Sequence, residues 1–196
     1  MKAIILLADG FEEIEAVTPA DYLRRAGVEV ITAACSSKPE AEGSHGIRII
    51  ADALVKDISL APDAIVCPGG MPGASNIAKC KDAVDLILKT RDAGKITAAL
   101  CASPIVVFAK LGLLAGKTFT CFPGMEASTE KFAGSDAAAL MRGSSKTMNA
   151  VEIDGNVITG QGPGAAEEFS LALISALLGK AAAEKVQKES WLRTPR

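Results

Sequence analysis

Histidine is almost missing from this sequence: among 196 residues there is one, His45. That scarcity argues against a zinc site, because no pair of ligands has the spacing such a site needs; no metal and no cofactor are expected. The five cysteines, at 35, 67, 80, 101 and 121, include no C-x-x-C. Their odd number, in a chain this large and apolar, argues against a disulfide framework. Reduced thiols in a reducing, cytoplasmic compartment are the expectation. Charge of one sign is also lacking, since 21 Lys plus Arg face 23 Asp plus Glu for a net charge of −2. Nothing therefore points to nucleic acid or to an anionic membrane surface. The apolar run over residues 3–8 is too short for a membrane span and meets Asp9 and Glu12 at once. It reads as a first strand, and no signal peptide is expected. Neither G-x-G-x-x-G nor G-x-x-x-x-G-K-[ST] occurs, which removes two Gly-rich phosphate cradles.

What the sequence does hold is the stretch 95–111, KITAALCASPIVVFAKL. Residues 96–100 are a short run of small and branched apolar residues, which predicts a buried strand. From Ser103 onward, Ile105, Phe108, Ala109 and Leu111 recur at helical spacing, with Pro104 tolerated in a first turn. Cys101 lies between, flanked by Ala99 and Ser103, where a sharp strand-to-helix turn needs small residues. A-x-C-x-S thus stands where a nucleophile elbow has G-x-S-x-G. A thiol on that turn faces a helix N-terminus, whose partial positive charge favours thiolate. The competing reading is a buried structural cysteine at a strand end.

Taken in order, the chain alternates strands with helices. The strand at 3–8 is followed by GFEEIEAVTPADYLRRAG, helical in pattern, with Thr18-Pro19 either kinking or restarting it and Gly27 ending it. A second strand at 28–34 completes a β-α-β unit, which implies parallel pairing. Residues 36–46 read as a polar loop and 47–50 as a short hairpin or edge strand. A buried strand at 64–67 stops at Pro68-Gly69-Gly70, and helices follow near 75–78 and 82–93. Beyond the elbow, 118–121 reads as a strand, 125–132 as a short helix, and 149–153 with 156–159 as a hairpin around Asp154-Gly155. Gly162-Pro163-Gly164 opens a helix to Leu178 with Gly179 as its stop, and the tail through Trp191 to Arg196 reads as a short helix and then frayed. The expectation is one domain over 1–196, α/β, with a mostly parallel sheet and helices on both faces. In such sheets the site lies beyond the carboxyl ends of the strands. That gathers residues 9–15, 67–70, 101–103 and 121–123.

Among these, Glu12 and Glu13 suit a solvated first helical turn. Glu15, between Ile14 and Ala16-Val17, can face inward. A buried carboxyl beside a thiolate keeps its proton, can donate it to the sulfur, and can serve as acid or base. Gly69 and Gly70 allow close backbone approach, and their amides with that of Ala102 can form an oxyanion hole beside Cys101, with a plain strand-to-helix turn as the competing reading. His45 is the only candidate for a Cys-His pair, yet it sits in a polar loop that solvates it without function. Arg24 and Arg25 suit the end of the first helix in any protein. Cys67 and Cys121 read as packing residues near the site, Cys35 and Cys80 as incidental, and Trp191 as a packing anchor.

Four motifs in order, GFEEIEA, PGG, AALCASP and GQGPGAAEEFSLAL, resemble the ThiJ/PfpI superfamily, in its branch containing the parkinsonism-associated deglycase and its bacterial relatives. The resemblance runs from about residue 2 to residue 185. It implies a flavodoxin-like three-layer sandwich, a homodimer, and an oxidation-prone cysteine at the elbow. By position it assigns Cys101 as nucleophile, Glu15 as the protonated acid bonded to it, and Gly70 and Ala102 as the amides beside the sulfur. It further places Arg25 near a dimer-associated pocket, Pro163 where the second subunit comes close, and His45 about where the branch has an arginine reaching across the dimer. Two departures stand out. Ala102 replaces the histidine that follows the nucleophile in the family's peptidases, which argues against proteolysis and amidotransfer. Phe122 replaces a histidine near the cysteine, which removes a proton relay there. The implied activity is cofactor-free, glyoxalase- or deglycase-type conversion of 2-oxoaldehydes such as methylglyoxal and glyoxal, or of early glycation adducts on amino groups. The alternative is a redox-responsive stress protein whose elbow cysteine oxidises to sulfinic acid. A thiamine-pathway role finds no thiazole or phosphate site in these residues.

Overall fold

The computed structural model describes residues 1–191. The opening unit is β1 (Lys2–Leu7), α1 (Glu13–Arg25) and β2 (Glu29–Ala34), with β1 and β2 parallel and Ile4 opposite Ile31. A small antiparallel pair, β3 (Glu40–Glu42) and β4 (Arg48–Ile50), stands apart from the main sheet, and β5 (Ala53–Leu54) extends β2 in parallel. Then come β6 (Ala64–Cys67), α2 (Gly73–Lys79), α3 (Lys81–Asp92) and β7 (Ile96–Leu100). Beyond them lie β8 (Thr118–Phe119), two short helices α4 (Thr129–Ala133) and α5 (Ala137–Leu140), β9 (Ser145–Lys146), β10 (Val151–Asp154) and β11 (Val157–Gly160). Two helices, α6 (Ala166–Leu178) and α7 (Lys180–Glu189), follow.

Seven strands form one sheet in the order β10-β11-β7-β6-β1-β2-β5, parallel except for the β10–β11 hairpin. The period-two geometry of strands sorts its side chains into two cores. Ala3, Ile5 and Leu7 of β1 pack with Ala16, Ala20 and Leu23 of α1 and Phe169 and Leu173 of α6. Ile4 and Leu6 turn to the other face, against Ile77, Leu86, Ile87 and Val107. Each such side chain, fully buried, contributes roughly 1.5–3 kcal/mol. This is the α/β architecture with helices on both faces that the alternation of strands and helices predicts.

The differences are local. α1 is continuous through Pro19, which leaves only the Glu15 carbonyl without its usual intrahelical donor, a loss the packed helix tolerates. β3 lies inside the expected polar loop: Ala41 packs inward between exposed Glu40 and Glu42, too short a pattern to read as a strand. The helix expected after Ser103 is a π-helix over Pro104–Ala109, entirely buried. α7 is the short helix expected in the tail after Gly179, and it rests Ala183 and Val186 on the core. Trp191 is 90% exposed and so is not a packing anchor, while the rest of the tail beyond it lies outside the described residues. No helix among the described residues is long and apolar enough to cross a membrane.

Candidate functional site

β7 ends at Leu100, and Cys101 turns into the left-handed region with φ 59°. A non-glycine residue there is strained and persists only where its surroundings enforce it. Here the Cys101 N–H donates to the Gly160 carbonyl of β11 at 2.9 Å. Its carbonyl accepts the Phe122 N–H at 2.8 Å. The buried Ser103 hydroxyl donates to the Pro68 carbonyl at 2.6 Å, tying the elbow to the end of β6. In the sequence Ser103 is legible only as a small flank; its hydroxyl anchor is set by a contact 35 residues away, which no local pattern announces.

Glu15 arrives from the first turn of α1 with no exposed surface. Its Oε2 accepts the Gly69 N–H at 2.7 Å. Its Oε1 is buried without a nitrogen or oxygen donor, and the carboxyl's remaining neighbour is the Cys101 thiol. The N–H groups of Gly70 and Ala102 point at the sulfur itself. Gly69 therefore serves the carboxyl, not the sulfur, which corrects the three-amide arrangement drawn from sequence. A side chain at Gly69 would place its Cβ 2.6 Å from the Cys101 Cβ and 2.7 Å from Glu15 Oε2, so only glycine admits this contact. Gly70, at φ 83°, turns its amide toward the sulfur through backbone that glycine adopts freely.

Burial, opposed by the Gly69 N–H, raises the Glu15 carboxyl to about 7. Burial and then the Glu15 charge push the Cys101 thiol up to about 12, against the pull of the Gly70 and Ala102 amides. The expected thiolate-favouring helix N-terminus is thus outweighed, since a six-residue π-helix follows the turn and the site is desolvated. The physical unit is the pair. It sheds one proton near neutral pH and resists losing the second, so the two groups hold one proton between them.

Of the other candidate residues, Phe122 follows Cys121 beside the elbow, 46% exposed, and its ring would lie 3.4 Å from a Cβ at Gly162, just before Pro163. Arg25 pairs with Asp21 at 2.6 Å on the exposed end of α1, about 15 Å along the helix from Glu15 at 1.5 Å per residue. Arg24, not Arg25, lines a pocket of about 310 Å³ with Leu7, Val17, Ile49 and Asp52. His45 bonds neither Cys101 nor Glu15. Its ring Nδ1 lies 2.9 Å from Glu13 Oε2, and its N–H donates to Glu13 Oε1 at 2.7 Å. Glu13, expected as a solvated first-turn residue, is buried as the holder of this loop. Burial works to raise its carboxyl, but the bonds from the His45 ring, its own backbone and the His45 and Ile47 amides win and hold it at about 2. Glu12, Glu13 and His45 bring ligand atoms within 4.8 Å of one another. The Glu13 oxygens are already engaged by His45, Ser44 and Ile47, so these hydrogen bonds account for the cluster.

Cys67 is fully buried and its thiol is raised by burial. Cys121 is buried too, with Sγ 3.8 Å from Glu126 Oε2, and burial pushes it up to about 12. Neither has the amide pair and carboxyl that converge on Cys101.

The DJ-1/PfpI family model matches residues 1–176. Over 94% of the chain the sequence is 38% identical to the DJ-1 homolog B of Arabidopsis thaliana, and over 97% it is 36% identical to homolog A. The chain spans only 40% and 46% of the lengths of those two relatives. A Caenorhabditis elegans protein named a glutathione-independent glyoxalase is 33% identical over 91% of the chain and 89% of its own length. Among solved structures, oxidized Toxoplasma gondii DJ-1 superposes with a TM-score of 0.85 at 33% identity, covering 98% of this chain and 99% of that one.

Proposed function

The chain belongs to the DJ-1/PfpI family, and from that premise we propose that it is a cysteine-dependent, cofactor-free enzyme converting small 2-oxoaldehydes to 2-hydroxy acids. The observation that carries this reading is the buried Glu15 carboxyl with one oxygen free of other donors, set against a sulfur that receives two backbone amides. The Cys101 sulfur, its proton passed to Glu15, attacks the aldehyde carbon. A C–S bond forms, and the carbonyl electron pair moves to oxygen, which takes the Glu15 proton. Glu15, now a carboxylate, removes the hydrogen on the thiohemiacetal carbon to give an enediol. Return of that proton to the adjacent carbon leaves a thioester. Water cleaves it, releasing lactate from methylglyoxal or glycolate from glyoxal and restoring the thiol. Oxidation at one carbon is balanced by reduction at its neighbour, so no external oxidant enters. On an early glycation adduct of an amino group the C–S bond forms as the C–N bond breaks, the amine leaves with a proton from Glu15, and the same thiohemiacetal results. The name of the C. elegans relative supports the substrate class.

A homodimer belongs to the same proposal. Ile14 and Val17 of α1 and Ile47 and Ile50 at the β4 hairpin are 49–76% exposed, an apolar set that a second copy would cover. Five free thiols suit a cytoplasmic setting. The second reading, a redox-responsive protein, is favoured by the same two amides, which would bind the oxygens of a sulfinate at Cys101 with Glu15 donating its proton.

The test is lactate formation from methylglyoxal by wild type, Cys101→Ser and Glu15→Gln. Turnover in wild type alone is the expected result. A wild type no faster than Cys101→Ser overturns the enzyme reading and leaves the redox one.

A further inference from the structure

Large apolar side chains stand around the elbow and are only partly covered: Phe122, Met125 and Phe132. Phe122 directly follows the buried Cys121, yet it is 46% exposed. Its backbone is held at both ends. Its N–H donates to the Cys101 carbonyl at 2.8 Å, and its carbonyl accepts the Met125 N–H at 3.0 Å. The ring rests over Gly162, where a Cβ would lie 3.4 Å from it. Met125 and Phe132 pack with Cys101 on one small cluster of Ala74, Ala102 and Val106. Ala102 adjoins the nucleophile, and Ala74 lies in the first turn of α2, its N–H bonded to the Gly70 carbonyl at 3.0 Å. Toward Glu15 the elbow is closed, since a Cβ on Gly69 would stand 2.6 Å from the Cys101 Cβ and 2.7 Å from Glu15 Oε2. A molecule added to the sulfur therefore extends away from the carboxyl, where the uncovered side chain tied to the elbow is the Phe122 ring. Covering such a ring with an apolar group is favourable in proportion to the area removed from water.

With Cys101 taken as the oxoaldehyde-converting nucleophile, a reading on which this one rests, we propose that the site selects 2-oxoaldehydes bearing an apolar group larger than methyl. Phe122, backed by Met125 and Phe132, is the specificity-determining wall. A branched alkyl homologue of methylglyoxal, 4-methyl-2-oxopentanal, represents the class. The sulfur adds to its aldehyde carbon, forming the C–S bond, and the carbonyl electron pair moves to oxygen, which takes a proton. The hydrogen on that carbon then passes as a proton, through the enediol, to the neighbouring carbon that carries the alkyl group. Water cleaves the resulting thioester, and 2-hydroxy-4-methylpentanoate leaves as the thiol is restored. One carbon is oxidised and its neighbour reduced, so no further reactant enters. Each added methylene that an apolar pocket holds in the transition state raises kcat/KM by about tenfold or more.

The experiment measures kcat/KM for 4-methyl-2-oxopentanal and for methylglyoxal, by the 2-hydroxy acid formed. It uses the full chain as wild type, Phe122→Leu and Phe122→Asn, with Cys101→Ser as background. Alkyl groups change the reactivity of the aldehyde little, so the ratio within one protein reads contact with the substituent. The same ratio cancels any loss of folded material. Wild type should favour the branched aldehyde by at least about tenfold. Phe122→Leu should keep most of that preference, and Phe122→Asn should bring the two substrates close to parity. Parity or a preference for methylglyoxal in wild type, or a wild-type ratio retained in Phe122→Asn, overturns the specificity and leaves the enzyme reading standing. Turnover of neither aldehyde above Cys101→Ser overturns both.

Discussion

Replacing Glu15 by Gln keeps the shape of the buried side chain and its acceptor for the Gly69 N–H, but removes the charge. The carboxyl rises from 4.5 to about 7, chiefly through burial. At 1.36 kcal/mol per pH unit this is about 3 kcal/mol. Because the folded value is raised, the folded protein binds the proton more tightly, and its stability falls as pH rises from 4.5 through 7. Below 4.5 both forms carry a neutral group and should unfold alike. Above 7 the wild type holds a buried charge that the variant lacks, so Glu15→Gln should be more stable there by about 3 kcal/mol. With a urea slope of roughly 2 kcal/mol/M, its unfolding midpoint at pH 8 should exceed that of wild type by about 1.5 M. At pH 4.5 the two midpoints should coincide. A midpoint difference that is the same at both pH values refutes the account of Glu15 as a buried, proton-holding carboxyl, whatever the variant does to turnover.

Two other consequences can be measured directly. His45 is the single histidine, so its imidazole NMR titration is unambiguous; the bond to Glu13, and then the charges of Glu12 and Glu13, should place it above the ordinary 6.5. The stability linked to that pair is complete below 6.5 and is lost as pH rises through the folded value, and Glu13→Gln should bring the titration back down. At the elbow, a left-handed backbone costs an L-residue roughly 1–2 kcal/mol that glycine does not incur. Of two inactive variants, Cys101→Gly should therefore melt about 2–8 °C above Cys101→Ala, and an Ala variant that melts at or above the Gly variant refutes strain at φ 59°.

The alternation of apolar runs with helical periods is local information, and it is enough to predict the parallel sheet, helices on both faces and the turn at Cys101. Pro68-Gly69-Gly70 and A-x-C-x-S are likewise legible, because close backbone approach admits only small residues. The carboxyl ends of β1, β6 and β7 meet because parallel pairing puts them side by side, which is why the order of strands and helices along the chain suffices to group Glu15, Gly70 and Cys101. The tertiary structure alone decided which neighbour each group found. Three glutamates within four residues look alike on a helix, yet packing buries Glu15 against the sulfur and turns Glu13 to the His45 loop. Gly69 and Gly70 are adjacent, yet one amide serves a carboxyl and the other a thiol. Periodicity records which face of an element is apolar; it holds no record of which distant polar group that face will meet, and the chemistry of this chain depends on those meetings.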